Sequence, residues 1–296
     1  MSFSTFLKKL GKVLLWVVLP ILLLVSVWLL AHTLMPQPAV GIIRLDVEIW
    51  SLSAEYIRYQ IQDAQQDGRI KAVVLLLDTP GGEVVATQNI YLELQGLRQQ
   101  MPVVGSIDTV AASGGYYAAM AADPIYARPS SSVGNVGVWA IVPDDLDVND
   151  EIIASGPFKL TGSNREEFMR ELEGIKREFL NTVFSQRGER IKITQEELSQ
   201  GLIYSGRDAA RLGLIDYVGS NSEAIAEAAR QAHITNYDEI DLSILALERL
   251  YEDYYGHGGE EPEMETWIGA ADPLTGERSL PYGVYLLYDI RLRGVP

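Results

Sequence analysis

Val73-Val74-Leu75-Leu76-Leu77 runs into Asp78-Thr79-Pro80-Gly81-Gly82, and about twenty residues later Val103-Val104-Gly105-Ser106-Ile107 leads to Ala111-Ala112-Ser113-Gly114-Gly115-Tyr116-Tyr117. Both stretches read as an apolar strand, a glycine turn and a helix. A continuous apolar run with no polar alternation is what a parallel strand covered on both faces requires. Two β-α-β crossovers in succession define an α/β domain. In such sheets ligands bind where the turns leave the carboxyl ends of the strands. Ser113 stands at the second turn, with two glycines after it that let a substrate backbone approach closely. It is the candidate nucleophile.

A serine hydroxyl needs a base to take its proton and donors to hold the oxyanion that develops. The N–H of Gly114, in the first turn of a helix, and that of Gly82 (or Gly81) are the candidate donors. The chain has three histidines, His32, His233 and His257. The first ends an apolar helix and the others lie far downstream of the motifs, so a Ser-His-Asp triad is not encouraged. A lysine can replace histidine where an apolar site keeps it neutral. Lys159, in Ile152-Ile153-Ala154-Ser155-Gly156-Pro157-Phe158-Lys159-Leu160, is the attractive one, whereas Lys176 and Lys192 sit among charges. Spacing alone leaves Lys159 outweighed by the ordinary fate of lysines, which is a surface position.

The order Asp78-Thr79-Pro80-Gly81-Gly82, Ala111 to Tyr117, Gly134-Asn135-Val136-Gly137-Val138 and Ser155-Gly156-Pro157-Phe158-Lys159 resembles the signal peptide peptidase A family. Tyr204-Ser205-Gly206-Arg207-Asp208-Ala209 and Gly213-Leu214-Ile215-Asp216 extend the likeness, which spans roughly residues 38–230. The resemblance implies a Clp/crotonase-like fold of repeated β-β-α and β-α-β units. It implies a membrane-anchored Ser-Lys peptidase with Ser113 as nucleophile, Lys159 as general base and Gly114 as an oxyanion donor. It implies substrates bound in extended form, such as cleaved signal peptides, and a ring- or dome-shaped homo-oligomer in which the lysine can come from a neighbouring subunit. Two positions depart from the family pattern. Asp78-Thr79 stands where Asn-Ser is usual, and Asn135 stands where a serine often helps to orient the lysine.

The chain has 296 residues, no cysteine, 47% hydrophobic residues and a net charge of −16. Disulfides, a thiol nucleophile and cysteine-ligated metal are excluded. The three lysines of residues 1–35 face no acid there, so the remainder is more acidic still, and nucleic acid is not an expected partner. Lys8, Lys9 and Lys12 precede an uncharged run, Val13 to Ala31, long enough for a bilayer-spanning helix. The lysines predict a cytoplasmic N-terminus and an extracytoplasmic catalytic domain on a single-pass cell-membrane protein. The expected organisation is residues 1–35 as N-terminus and transmembrane helix, 36–234 as peptidase domain and 235–296 as an acidic extension.

Along the chain, strands are expected at Gly41–Val47, Val73–Leu77, Val103–Ile107, Pro124–Ala127, Val136–Ile141, Ile203–Ser205 and Leu214–Tyr217. Helices are expected at Leu52–Ala64, Val84–Leu97, Ser113–Ala122, Arg165–Arg187, Thr194–Gln200, Arg207–Leu212 and Ala224–Ala232. Thr194 and Glu197 fit a capping box. Tyr282–Leu292 is a candidate strand, either added to another sheet or part of a plain extension. Ser130-Ser131-Ser132 reads as a turn. The acidic run Asp144 to Glu151 lacks the spacing of a calcium loop, and no phosphate, zinc or dinucleotide motif is present. Neither a metal nor a cofactor is expected. Three other readings share parts of this pattern: a peptidase of the kind that trims stomatin-like partners, an inactive peptide-binding scaffold, and a crotonase-like acyl-CoA enzyme.

Overall fold

The computed structural model describes residues 14–34, 36–141, 155–156, 158–159, 162–255 and 283–287. The expected acidic run at 144–151, His257 and the three N-terminal lysines lie outside the described residues. The chain divides into two compact units, Met1–Pro38 and Ala39–Pro296.

In the first unit a five-residue π-helical turn, Leu14–Val18, leads into helix α1, Leu19–Leu34. Its described side chains, Leu15 to Val27, are exposed apolar groups for the most part. Among the described residues no helix is long and apolar enough to cross a membrane. The 16 residues of α1 rise about 24 Å, against a hydrocarbon core of roughly 30 Å.

The second unit is built on a mixed eight-stranded sheet. Strand β1, Ala39–Leu45, is followed by helix α2, Ser51–Gln66, then β2, Ile70–Thr79, and the short β3, Gly81–Glu83. Helix α3, Val84–Arg98, returns the chain to β4, Val103–Ala112, which turns into helix α4, Gly114–Ala119. Short strands β5, Ile125–Ala127, β6, Ser132–Gly134, and β7, Trp139–Ile141, come next. Helices α5, Arg165–Arg187, and α6, Gln195–Leu198, precede β8, Ile203–Ser205, and α7, Gly206–Arg211. Strand β9, Tyr217–Val218, helix α8, Asn221–Gln231, strand β10, Asp238–Asp241, helix α9, Ser243–Tyr255, and strand β11, Gly283–Leu287, complete the described chain.

The main sheet runs β10-β1-β2-β4-β5-β9, all parallel, and β6 and β8 branch from β4. The run Val73 to Leu77 serves two cores because successive side chains point to opposite faces. Val73, Leu75 and Leu77 join the cluster beneath α2, α3, α4 and α5, where Ile57, Ile61, Ile90, Tyr116 and Phe179 meet. Ala72, Val74 and Leu76 join the second cluster, against Ala224, Ile225, Ala228 and Ala229 of α8.

Several boundaries differ from the sequence expectation for local reasons. β4 continues past Ile107 through the polar Asp108 and Thr109, because Val110 N–H donates to Asp78 Oδ1 at 3.2 Å and Ala111 pairs with Thr79. The expected strand Val136–Ile141 shortens to Trp139–Ile141, which pairs in a different sheet, and a separate strand, Ser132–Gly134, precedes it on the main sheet. The positive φ values of Gly134 (109°) and Asn135 (54°) break the extended run between them. The turn expected at Ser130-Ser131-Ser132 is present, with Ser131 N–H donating to Arg128 O at 3.1 Å, but Ser131 is buried and its Oγ donates to Asp108 O at 2.6 Å. Strand Leu214–Tyr217 shrinks to Tyr217–Val218, since Leu214 and Ile215 are buried without joining the ladder. Past Ile234 the chain contributes to the same unit: β10 pairs with β1, and α9 packs on α2.

Candidate active site

Ser113 occupies the single residue between β4 and α4, and the geometry there is strained. Its φ is 52° and ψ −118°, a combination non-glycine residues rarely adopt, at a cost of about 1–3 kcal/mol. The turn is held from both sides. Ser113 N–H donates to Gly134 O at 2.8 Å, and Ser113 C=O accepts from Tyr117 N–H at 2.9 Å. Such a sharp strand-to-helix turn lifts a hydroxyl clear of its own backbone, as in the nucleophile elbow of hydrolases. Here the side chain caps nothing, and the residue is 1% exposed in the single chain.

Gly114 and Gly115 follow at the start of α4. Their N–H groups precede the first helical hydrogen bond, which is made by Tyr117. With only six residues α4 has a small dipole, so individual N–H groups are the donors it offers. Gly115 has no room for a side chain: an added Cβ would lie 2.7 Å from both Cγ2 and O of Thr79. The end of β2 and the start of α4 are thereby pressed together, and the two glycine motifs meet.

Gly82 lies in β3 against Ile49, where an added Cβ would lie 1.9 Å from Ile49 O. Glu83 N–H donates to Ile49 O and Ile49 N–H to Gly81 O, both at 2.8 Å. Strand alternation turns the N–H of Gly82 the other way, towards β11, whose Leu286 is its partner in register. The expected oxyanion donor therefore faces a strand of the same chain.

Lys159 sits in a turn before α5, with its N–H donating to Gly156 O at 3.2 Å, and it is exposed. The apolar burial expected from its neighbours is not supplied among the described residues: Phe158 beside it is 45% exposed. Asn135 takes a structural role. Its Nδ2 donates to Gly201 O and its N–H to Leu202 O, both at 2.8 Å, which ties the Gly134-Asn135 turn to the segment before β8. Asparagine tolerates the left-handed conformation this turn needs. That bond uses one of the two donors of the Nδ2 amide.

His233 is exposed past the end of α8, beside the second core and not on the Ser113 face. Burial pushes the Tyr117 hydroxyl up to about 12, so it stays protonated; it bonds Glu178 at 3.3 Å and receives from Thr182 at 3.4 Å. Burial also raises Tyr116 well above its ordinary value, and its hydroxyl donates to Leu214 O at 2.7 Å. Both tyrosines brace α4 against α5 and the Gly213-Leu214 segment. Among the described residues no group of three or more carboxylate and histidine side chains is placed to hold a metal ion.

Asp216 ends the last motif as a structural anchor. Arg187, its side chain 1% exposed, donates to both carboxylate oxygens at 2.8 and 2.9 Å. Burial alone would raise the Asp216 pKa. The hydrogen bonds and charge of Arg187, the Ile125 N–H and the charge of Arg190 outweigh it and hold the carboxyl below its ordinary value. Thr79, Ile49 and strand β11 were not singled out in the sequence as neighbours of the site. Only the glycines at 82 and 115, which mark close backbone approach, hinted at the first two.

The structure thus defines a doubly covered α/β unit with a serine on a strained strand-to-helix turn, beside a second glycine turn. A profile described as peptidase family S49 matches residues 95–235, and one described as the NfeD1b N-terminal domain matches residues 39–145. The chain is 30% identical over 198 residues to the chloroplastic serine protease SPPA of Arabidopsis thaliana. It is 31% identical over 193 residues to protease 4 of Salmonella typhi, and 30% over 238 residues to protease 4 of Haemophilus influenzae. These alignments cover 62%, 60% and 72% of this chain, but only 29%, 31% and 38% of the relatives. A solved membrane-bound stomatin-specific protease aligns with 70% of this chain and 98% of its own, at 22% identity and a TM-score of 0.47. Residues 95–235 thus match peptidase family S49, and the similarity to these proteases supports assignment of the chain to the signal peptide peptidase A family.

Proposed function

We propose that the chain is a serine endopeptidase in which Ser113 is the nucleophile and Lys159 the general base. The strained Ser113 turn carries the reading, because strain of this kind persists where the surroundings over-determine it and clusters at functional sites. Ser113 Oγ attacks the scissile carbonyl carbon while its proton passes to neutral Lys159 Nζ. N–H groups at the start of α4, Gly114 first, hold the oxyanion, with Gly82 as the second donor once its edge is open. Collapse expels the amine, which takes the proton back from the lysine. Water activated by the same lysine then attacks the acyl-serine and releases the acid.

Lys159 lies exposed in the single chain, and a neutral lysine needs an apolar cover. We read that cover as a neighbouring subunit of a homo-oligomer, of the Clp/crotonase-like kind the sequence resemblance implies. Substrates are peptides in extended form, signal peptides or other membrane-derived segments. The uncharged stretch Leu14–Leu34 is read as attaching the N-terminus to the membrane, with the catalytic unit outside the cytoplasm.

The test is turnover of a peptide library by the full chain beside Ser113→Ala and Lys159→Ala. Turnover is expected to fall by several orders of magnitude in Ser113→Ala, leaving only what binding and the oxyanion donors supply. In the wild type the rate rises from acid towards alkaline pH as the base loses its proton. Wild-type rates in Ser113→Ala would sink the mechanism.

A further inference from the structure

Strand β11 belongs to a separate three-stranded sheet, β3-β11-β7. Leu286 and Leu287 lie opposite Gly82 and Gly81 on one side, while Gly283 and Val284 lie opposite Ile141 and Ala140 on the other. Tyr285 is in register with both Glu83 and Trp139. β11 is antiparallel to both neighbours, so β3 and β7 run in the same direction and, among the described residues, are bridged through it. Taking two strand spacings, their facing edges stand about 9.5 Å apart. That slot accepts one extended backbone and nothing wider. It borders the candidate site: β3 starts two residues after Thr79, which crowds Gly115, and β11 packs on α4, the helix that follows Ser113.

We propose that β11 is a resident occupant of the slot that receives extended peptide, so that the C-terminal strand competes with substrate for the edges of β3 and β7. The proposal rests on the peptidase reading for its substrate class. Added-strand recognition draws its affinity from main-chain hydrogen bonds and is tolerant of sequence, so the chain's own strand and a foreign peptide are interchangeable there. Two features make the occupant displaceable. β3 and β7 are three residues each, so the ladder is short. The strand is joined to α9 within the same chain, and an intramolecular competitor acts at an effective concentration on the order of millimolar. Substrate binding opens the N–H of Gly82 by replacing Leu286 at its side.

The experiment measures binding and so does not depend on turnover. A labelled peptide with the chain's own sequence Pro281 to Asp289 is titrated into full-length Ser113→Ala and into full-length Ser113→Ala/Leu286→Pro. Proline at 286 removes a ladder donor that faces Gly82. The double variant is expected to bind the peptide at least tenfold tighter, as seen by fluorescence anisotropy, with unchanged far-UV circular dichroism. Equal affinity, or no binding to either chain, overturns the proposal. Hydrogen exchange in the unsubstituted chain gives a second reading. Amides of 283–287 are expected to be protected and to lose protection on addition of the peptide; free exchange from the start overturns it. Peptide binding with this pattern, but no turnover difference between wild type and Ser113→Ala, would remove the peptidase reading and leave the slot standing.

Discussion

At the scale of single residues, two contacts decide most. Arg187 and Asp216 form a nearly fully buried ion pair that joins α5 to the segment before β9, and Arg190 adds a second cation at 3.0 Å. Removing one partner leaves the other charged and unpaired in the interior. Asp216→Asn is therefore expected to cost about 3–5 kcal/mol, read as a shift in the urea midpoint at neutral pH. Because the folded carboxyl titrates below its unfolded value, its contribution is complete above about pH 4 and is lost as pH falls through the lowered folded value. Acid should thus narrow the stability gap between wild type and Asp216→Asn; a gap unchanged down to the lowest pH at which both fold would refute the assignment. The second contact is steric. Gly82→Ala drives a methyl into Ile49 O, and the strand must shift. We expect peptide turnover to fall at least tenfold while the unfolding transition of the main sheet persists.

At the scale of elements, β2 is the central test. Leu75 is fully buried between β1 and β4, and Leu75→Ala is expected to cost about 2–5 kcal/mol by denaturant unfolding. Helix α8 covers the opposite face and starts with a capping box, Ser220 and Glu223 exchanging side-chain and backbone bonds. Ser220→Ala should cost about 0.5–2 kcal/mol, measured the same way. These elements were readable in advance because their signals are local. The α5 limits and the Thr194–Glu197 box stand where spacing and caps put them. Short strands were read less well. β6 and β7 have three residues each, too few to carry a period, and pairing with β4, β8 and β11 defines them.

At the scale of the whole molecule, the proposed base Lys159 is exposed in the single chain. If assembly supplies the cover, acetylation of Lys159 should slow by tenfold or more in the assembled protein relative to diluted monomer, followed by mass spectrometry. An equal rate in both would place the base elsewhere. The chain spans about a third of the length of the three relatives aligned above.

The sequence by itself determined the doubly covered parallel sheet, the helices around it and the serine at the second turn. These follow from apolar runs, caps and glycines, which act over a few residues. The tertiary structure alone decided the rest: the positive φ of Ser113, the meeting of Gly115 with Thr79 and of Gly82 with Ile49, the exposure of Lys159, and the hydrogen bond from Asn135 to Gly201. It also decided that a strand near residue 285 lies between β3 and β7. Each of these joins segments distant in sequence, and a backbone edge accepts almost any extended strand, so no local pattern names its partner.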